Sequence, residues 1–227
     1  MKAVGLTQYL PIEDPASLQD LDIAPPGAPQ GRDLLVRVHA VSVNPVDAKQ
    51  RAPRAQHEHP ARMLGYDAAG VVEAVGEEVS AFAPGDEVYY AGDVTRPGCN
   101  AQYQWVDERL VGRKPTTLDF AEAAALPLTT LTAWELLFQR MPLQLDDCRH
   151  RGQHLLIIGG AGGVGSIAIQ LARHAGFTVI ATASREESRA WCIQMGADHV
   201  IDHRQPLAPQ LQALGIAQVQ VALNLAD

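Results

Sequence analysis

The sequence predicts a chain of α/β plus β class in two parts, a β-rich first half and a second half built on a parallel sheet. Three observations carry this. Before residue 115 or so, β-branched runs alternate with Gly- and Pro-rich turns. From residue 118 onward the apolar period lengthens and strands alternate with helices. A glycine-rich turn at 160–165 joins a predicted strand to a predicted helix.

The first half is read from its clearest strands. Leu34–Val43 (LLVRVHAVSV) follows the turn signal PPGAPQGRD, and Val71–Val75 (VVEAV) precedes GEEVSAFAPGDE. Short strands at close spacing with Gly and Pro between them predict a barrel or a sandwich.

The second half opens with an Ala/Leu-rich helical stretch, 118–140, in which Pro127 marks a break or kink. A polar linker follows over 143–153. Then come a buried strand (154–160), a helix ending at Gly176, a strand (177–183), a helix (184–197) and a short strand (198–202). A helix (206–215) and a last strand (218–227) complete the alternation. Strand–helix alternation at this length implies right-handed βαβ units. Three βα units and one terminal strand make only part of a doubly wound sheet, which normally has about six strands.

Composition narrows the function classes. The chain has 227 residues, 18 Lys+Arg and 26 Asp+Glu, for a formal charge of −8. Nucleic-acid and anionic-membrane surfaces need clustered cations, so neither partner is expected. Three scattered cysteines (Cys99, Cys148, Cys192) do not make a disulfide framework. The longest apolar runs fall short of the roughly 18 residues that span a bilayer. The N-terminus lacks the pattern of a secretory leader. The expectation is a cytoplasmic protein.

The strongest motif is Gly160-Ala161-Gly162-Gly163-Val164-Gly165, which fits GxGxxG. In a strand–turn–helix context this loop lays backbone against a pyrophosphate at a helix N-terminus. Gly160 is expected to make the tight turn, Gly162 to admit the phosphate, and Gly165 to let the helix pack on the strand. A nicotinamide site for NADH usually ends its second strand with Asp or Glu. Here Ser184 and Arg185 stand there, a hydroxyl and a guanidinium suited to a 2′-phosphate, so the expected cofactor is NADPH. Ser184-Arg185-Glu186-Glu187 is also a capping-box sequence, so Ser184 could serve as the helix cap.

With these motifs in order, the sequence resembles the medium-chain dehydrogenase/reductase superfamily. It is most similar to the zinc-independent, quinone oxidoreductase-like branch, whose members are often called zinc-type alcohol dehydrogenase-like. The resemblance rests on VSVNPVDAK, LGYDAAGVVEAVGEEVSAFAPGDEVY, AEAAALPLTTLTAWE, IIGGAGGVGSIAIQLAR and MGADHVIDHR. It implies a GroES-like β-barrel domain over 1–117 and a partial Rossmann NADPH-binding domain over 118–227, with an active site in the cleft between them. Family chains run longer, so the sequence reads as truncated at its C-terminal side.

The resemblance also implies the chemistry, a zinc-independent transfer of hydride from NADPH to a quinone or an α,β-unsaturated carbonyl. The zinc branch has Cys where this chain has Asn44, His where it has Tyr66, and a further Cys near Leu128–Thr130. Asn44 and Tyr66 therefore become candidate donors to the substrate oxygen, with an Asn-Pro turn and simple packing as their alternatives. Thr129 is implied near the nicotinamide, or as a helix cap after Pro127. His203 is implied near the adenosine phosphate. His57 and His59 form an HxH in a segment read as a polar loop, with solvation preferred over metal binding. A homodimer is implied for the full-length form. The competing reading is a non-catalytic dinucleotide-binding or structural protein.

Overall fold

The computed structural model describes residues 1–145 and 149–225. Cys148, the middle of the 143–153 linker and the end of the last expected strand lie outside the described residues. The chain divides into two compact units, Met1–Leu128 and Thr129–Asp227.

The first unit contains β1 (Lys2–Tyr9), β2 (Gln19–Asp22), β3 (Asp33–Val41), α1 (Pro45–Arg51), β4 (Arg54–Met63) and β5 (Asp67–Val75). β6 (Glu87–Ala91), β7 (Tyr103–Asp107), β8 (Val111–Arg113) and α2 (Phe120–Ala124) follow. Two antiparallel sheets form, in the orders β2-β1-β4 and β7-β3-β5-β6-β8. Leu34 and Val36 of β3 join Ala68, Val72, Val88 and Tyr90 in one core cluster. Burying a Val or Leu side chain contributes about 1.5–3 kcal/mol. β5 is buried on both faces at its start, from Asp67 to Gly70. The second face is covered by α2, whose Ala123 and Ala124 pack on Ala69. That two-sided cover makes its sequence, DAAG, a run of small residues.

Several elements depart from the sequence expectation. Residues 54–63, read as a polar loop, form β4, which pairs with β1 through register shifts. Its side chains are mostly exposed, so no alternating apolar signal exists to reveal it. His57 and His59 are exposed on this strand. The helical stretch 118–140 breaks at Pro127. α2 is opened by an Asp119–Glu122 capping box, and a new helix, α3 (Pro127–Trp134), continues into one π-helical segment, Glu135–Arg140.

The second unit is the alternation read from the sequence: β9 (His154–Ile158), α4 (Gly163–His174), β10 (Thr178–Thr182), α5 (Glu186–Gln194), β11 (His199–Ile201), α6 (Leu207–Ala213) and β12 (Val221–Asn224). The parallel sheet has the order β11-β10-β9-β12. Neighbours on β9 point to opposite faces: Leu155 and Ile157 enter one cluster with Ile169 and Ala172 of α4, while Leu156 enters another with Ile180 and Ile216. Burial on both faces is why these strands read as continuous apolar runs.

Candidate functional site

In the second unit, the turn from β9 into α4 is made by Gly159, which takes φ +83°. This corrects the expectation for Gly160, which has no positive φ. A Cβ on Gly160 would instead lie 2.7 Å from Ala181 Cβ and 3.2 Å from Cys192 Sγ, so that glycine is required by close packing on β10. A Cβ on Gly165 would lie 2.4 Å from the Gly159 carbonyl oxygen and 2.7 Å from that of Gly160, so α4 sits directly on the loop backbone. Gly162 is the N-cap of α4 and has no side chain to satisfy the first turn. Gly162 and Gly163 are exposed, Ala161 and Val164 are half-buried, and the first-turn N–H groups of Gly163, Val164 and Gly165 have no carbonyl within the helix. Such a terminus favours an anion through its open donors and its dipole.

The loop is pinned to β10. Gly159 N–H donates to Thr182 Oγ1 at 3.0 Å, and Gly160 N–H to the Thr182 carbonyl at 3.2 Å. Thr129 lies beside the loop, with its Cγ2 3.0 Å from where a Gly163 Cβ would stand.

At the end of β10, the residue capping α5 is Arg185, and its side chain makes no capping hydrogen bond. The capping box expected to begin at Ser184 does not form, because α5 starts at Glu186. The Ser184 carbonyl instead accepts from Arg204 Nη2 at 2.8 Å. Arg204 also pairs with Asp202, and that hydrogen bond holds the Asp202 carboxyl down at about 2. This brings the turn carrying exposed His203 against the end of β10. Gly159, Thr182 and Arg204 were not singled out from the sequence. The run IIGG, with Gly159 before the motif, was the one signal available.

In the first unit, Asn44 and Tyr66 belong to a buried polar network. Asn44 Nδ2 donates to Asp67 Oδ2 at 2.8 Å, and Asn44 N–H to Asp47 Oδ2 at 2.8 Å. Gly65 N–H donates to Asp47 Oδ1 at 3.0 Å, and Leu128 N–H, in the first turn of α3, to Asp67 Oδ1 at 2.9 Å. The Asn44 amide hydrogen is thus engaged in holding Asp67. Asp67 is 0% exposed. Burial pushes its pKa up to about 6, with a smaller push from the Asp47 charge, against the lowering hydrogen bonds of Asn44 and Leu128. Burial also pushes the neighbouring Cys99 thiol up to about 12, which leaves it protonated and inert. Asp67 was missed in the sequence, where a carboxylate inside the run GYDAAGVV was its visible mark.

Tyr66 is 1% exposed, and its hydroxyl is buried without a hydrogen-bond partner. Arg62 lies close by. Burial alone would lower the Arg62 pKa, but polar contact with Tyr66 and Tyr9 more than offsets it and the net shift is upward.

A zinc ion does not fit these residues. Asn44, Tyr66 and Leu128–Thr130 supply neither thiolate nor imidazole, and among the described residues no group of three or more His, Cys, Asp or Glu could hold a metal ion. No helix among the described residues is long and apolar enough to cross a membrane.

The alcohol dehydrogenase GroES-like domain family matches residues 30–116, and the zinc-binding dehydrogenase family matches residues 163–226. A zinc-type alcohol dehydrogenase-like protein of Staphylococcus aureus (strain COL) is 43% identical, over 94% of this chain and 63% of its own. The 2-methylene-furan-3-one reductase of Solanum lycopersicum is 38% identical, over 89% of this chain and 52% of its own. Among solved structures, a zinc-dependent alcohol dehydrogenase candidate from Rhizobium etli CFN 42 superposes with TM-score 0.91 at 53% identity, covering 99% of this chain and 65% of that one. The quinone oxidoreductase from Coxiella burnetii gives 0.79 at 32%, covering 98% and 67%. The Escherichia coli quinone oxidoreductase complexed with NADPH gives 0.79 at 25%, covering 98% and 65%. The chain spans about 63% of the length of the curated S. aureus relative it matches.

Proposed function

The chain belongs to the medium-chain dehydrogenase/reductase superfamily, and from that premise we propose that it is an NADPH-dependent oxidoreductase. It reduces a quinone or an α,β-unsaturated carbonyl without zinc. The observation that carries the reading is the uncapped α4 terminus pressed onto a glycine loop, with Ser184 and Arg185 and no carboxylate at the end of β10. The E. coli relative bound to NADPH and the tomato furanone reductase agree with that cofactor and that substrate class.

Each unit has its own part in the proposal. The first unit, Met1–Leu128, serves as the substrate-side domain and the second, Thr129–Asp227, as the partial cofactor domain; the boundary falls after 117 in the sequence reading and after Leu128 in the structure, because α2 packs on β5. The N–H groups of Gly163 to Gly165 hold the pyrophosphate, with Ala161 and Gly162 shaping its approach. Ser184 and Arg185 take the 2′-phosphate, with His203 at the adenosine end and Thr129 beside the loop. When bound, the reduced nicotinamide supplies the hydride. Hydride addition to an enone places negative charge on the carbonyl oxygen. A preorganised donor there lowers the barrier, and the Tyr66 hydroxyl is the donor that this reading assigns. Asn44 acts on the same side by fixing Asp67 and the segment 65–67 that carries Tyr66. A cytoplasmic setting, and a homodimer in the longer family form, belong to the same proposal.

Titration of the chain with NADPH and with NADH, read by calorimetry and tryptophan emission, tests the reading. NADPH should bind more tightly, and Arg185→Ala should weaken NADPH about tenfold while leaving NADH unchanged, the scale of one solvent-exposed charge-assisted hydrogen bond. Preferential NADH binding overturns the cofactor assignment. Tight NADPH binding without turnover of any quinone or enone overturns the enzymatic reading in favour of a dinucleotide-binding protein.

A further inference from the structure

The carbonyl of Gly162 accepts two hydrogen bonds from the same residue. Ser166 N–H donates to it at 2.8 Å, and so does Ser166 Oγ at 2.8 Å. A helical serine often bonds the carbonyl four residues back. Here the hydroxyl is also held from outside, since Trp191 Nε1 of α5 donates to Ser166 Oγ at 2.8 Å. The hydroxyl has one proton to give. The indole occupies an acceptor side of the oxygen, so that proton is committed to the Gly162 carbonyl, and the two bonds polarise each other.

The Gly162 carbonyl and the Gly163 N–H belong to one planar peptide unit. Gripping the oxygen on the helix side therefore aims the N–H out of the helix end, where an anion rests. The next residue on α5, Cys192, packs beneath Gly160, so one helix supports both ends of the loop. The same helix is N-capped by Arg185, just past the end of β10.

We propose that Trp191 is a positioning residue for the dinucleotide, acting through Ser166 on the peptide of Gly162 and Gly163. The inference rests on the reading that this loop binds NADPH. It adds that α5 couples the 2′-phosphate end of the site to the pyrophosphate loop. The Trp191 indole N–H donates to Ser166 Oγ, which donates to the Gly162 carbonyl, so its resonance also reports on the state of the loop.

Trp191→Phe keeps the ring and removes the donor; Ser166→Ala removes the relay. Each should weaken NADPH binding by roughly twofold to tenfold, the worth of one net hydrogen bond. The double variant should be no worse than the weaker single, because both act through one carbonyl. Backbone amide exchange at residue 166, whose N–H donates to the same Gly162 carbonyl, should rise in the ligand-free chain of both variants, and the Trp191 indole N–H resonance should move in Ser166→Ala. Additive losses in the double variant, or unchanged NADPH affinity in both singles, overturn the proposal. If the parent chain binds neither NADPH nor NADH, the functional reading fails. The exchange measurement still decides the local claim, and unchanged exchange of the residue-166 amide in both variants refutes it.

Discussion

Asp67→Asn isolates the energetics of the buried network. The carboxyl is 0% exposed and its pKa rises from 3.8 to about 6. A group whose pKa is raised on folding favours the folded state only while protonated. Its contribution is full below pH 3.8 and is lost as the pH climbs to about 6. The span corresponds to about 3 kcal/mol, of which about half is gone by pH 5. Asn cannot titrate, so the stability difference between the parent chain and the variant should drift by about 2 kcal/mol in favour of the variant from pH 4 to pH 7, the rest of the span lying below pH 4. For a domain in this size range that is roughly 4–8 °C in relative Tm. At low pH the variant should be the weaker one. Its amide NH2 must face either Asn44 Nδ2 or the Leu128 N–H, leaving a donor opposed by a donor, at about 1–3 kcal/mol. The assay is urea unfolding of both proteins at half-unit steps, read as a difference so that other titrating groups cancel. Asp47, which pushes on Asp67, is the coupled exception and is controlled by Asp47→Asn. A difference that stays flat from pH 4 to pH 7 would refute the reasoning, because it would mean that Asp67 titrates alike in the folded and unfolded chains.

Two further substitutions test the site. Gly165→Ala places a methyl 2.4 Å from the Gly159 oxygen, where only backbone can yield. The midpoint of denaturation should fall by an amount equivalent to about 1–3 kcal/mol and NADPH binding should be lost, whereas an unchanged midpoint would show that α4 does not sit on the loop as described. Tyr66→Phe removes a buried hydroxyl that has no partner. Stability should hold or rise by up to about 1 kcal/mol while quinone or enone turnover falls; unaltered turnover would remove Tyr66 from the chemistry, and a loss above about 1 kcal/mol would reveal a hydrogen bond.

The second unit was largely legible because its signals are local. Strand period, helix period and the glycine run lie within a few residues of one another, and β9 to β12 follow the predicted order. The first unit was legible only in part. β3 and β5 bury apolar side chains and could be read. β4 could not, since backbone pairing with β1 holds a strand of mostly exposed polar residues.

What the sequence by itself determined is the two-part class, the alternation after residue 150, and the glycine loop with Ser184 and Arg185 one strand further on. These depend on contacts between near neighbours. Only the tertiary structure decided which groups meet: Asn44 with Asp67 across 23 residues, Leu128 with Asp67 across 61, Arg204 with the Ser184 carbonyl across 20, and Trp191 with Ser166 across 25. It also moved the tight turn from Gly160 to Gly159 and took the cap of α5 away from Ser184. The physical reason is common to all of these. A hydrogen-bond partner is chosen by where the folded backbone places it, and burial then sets what the bond and the charge are worth.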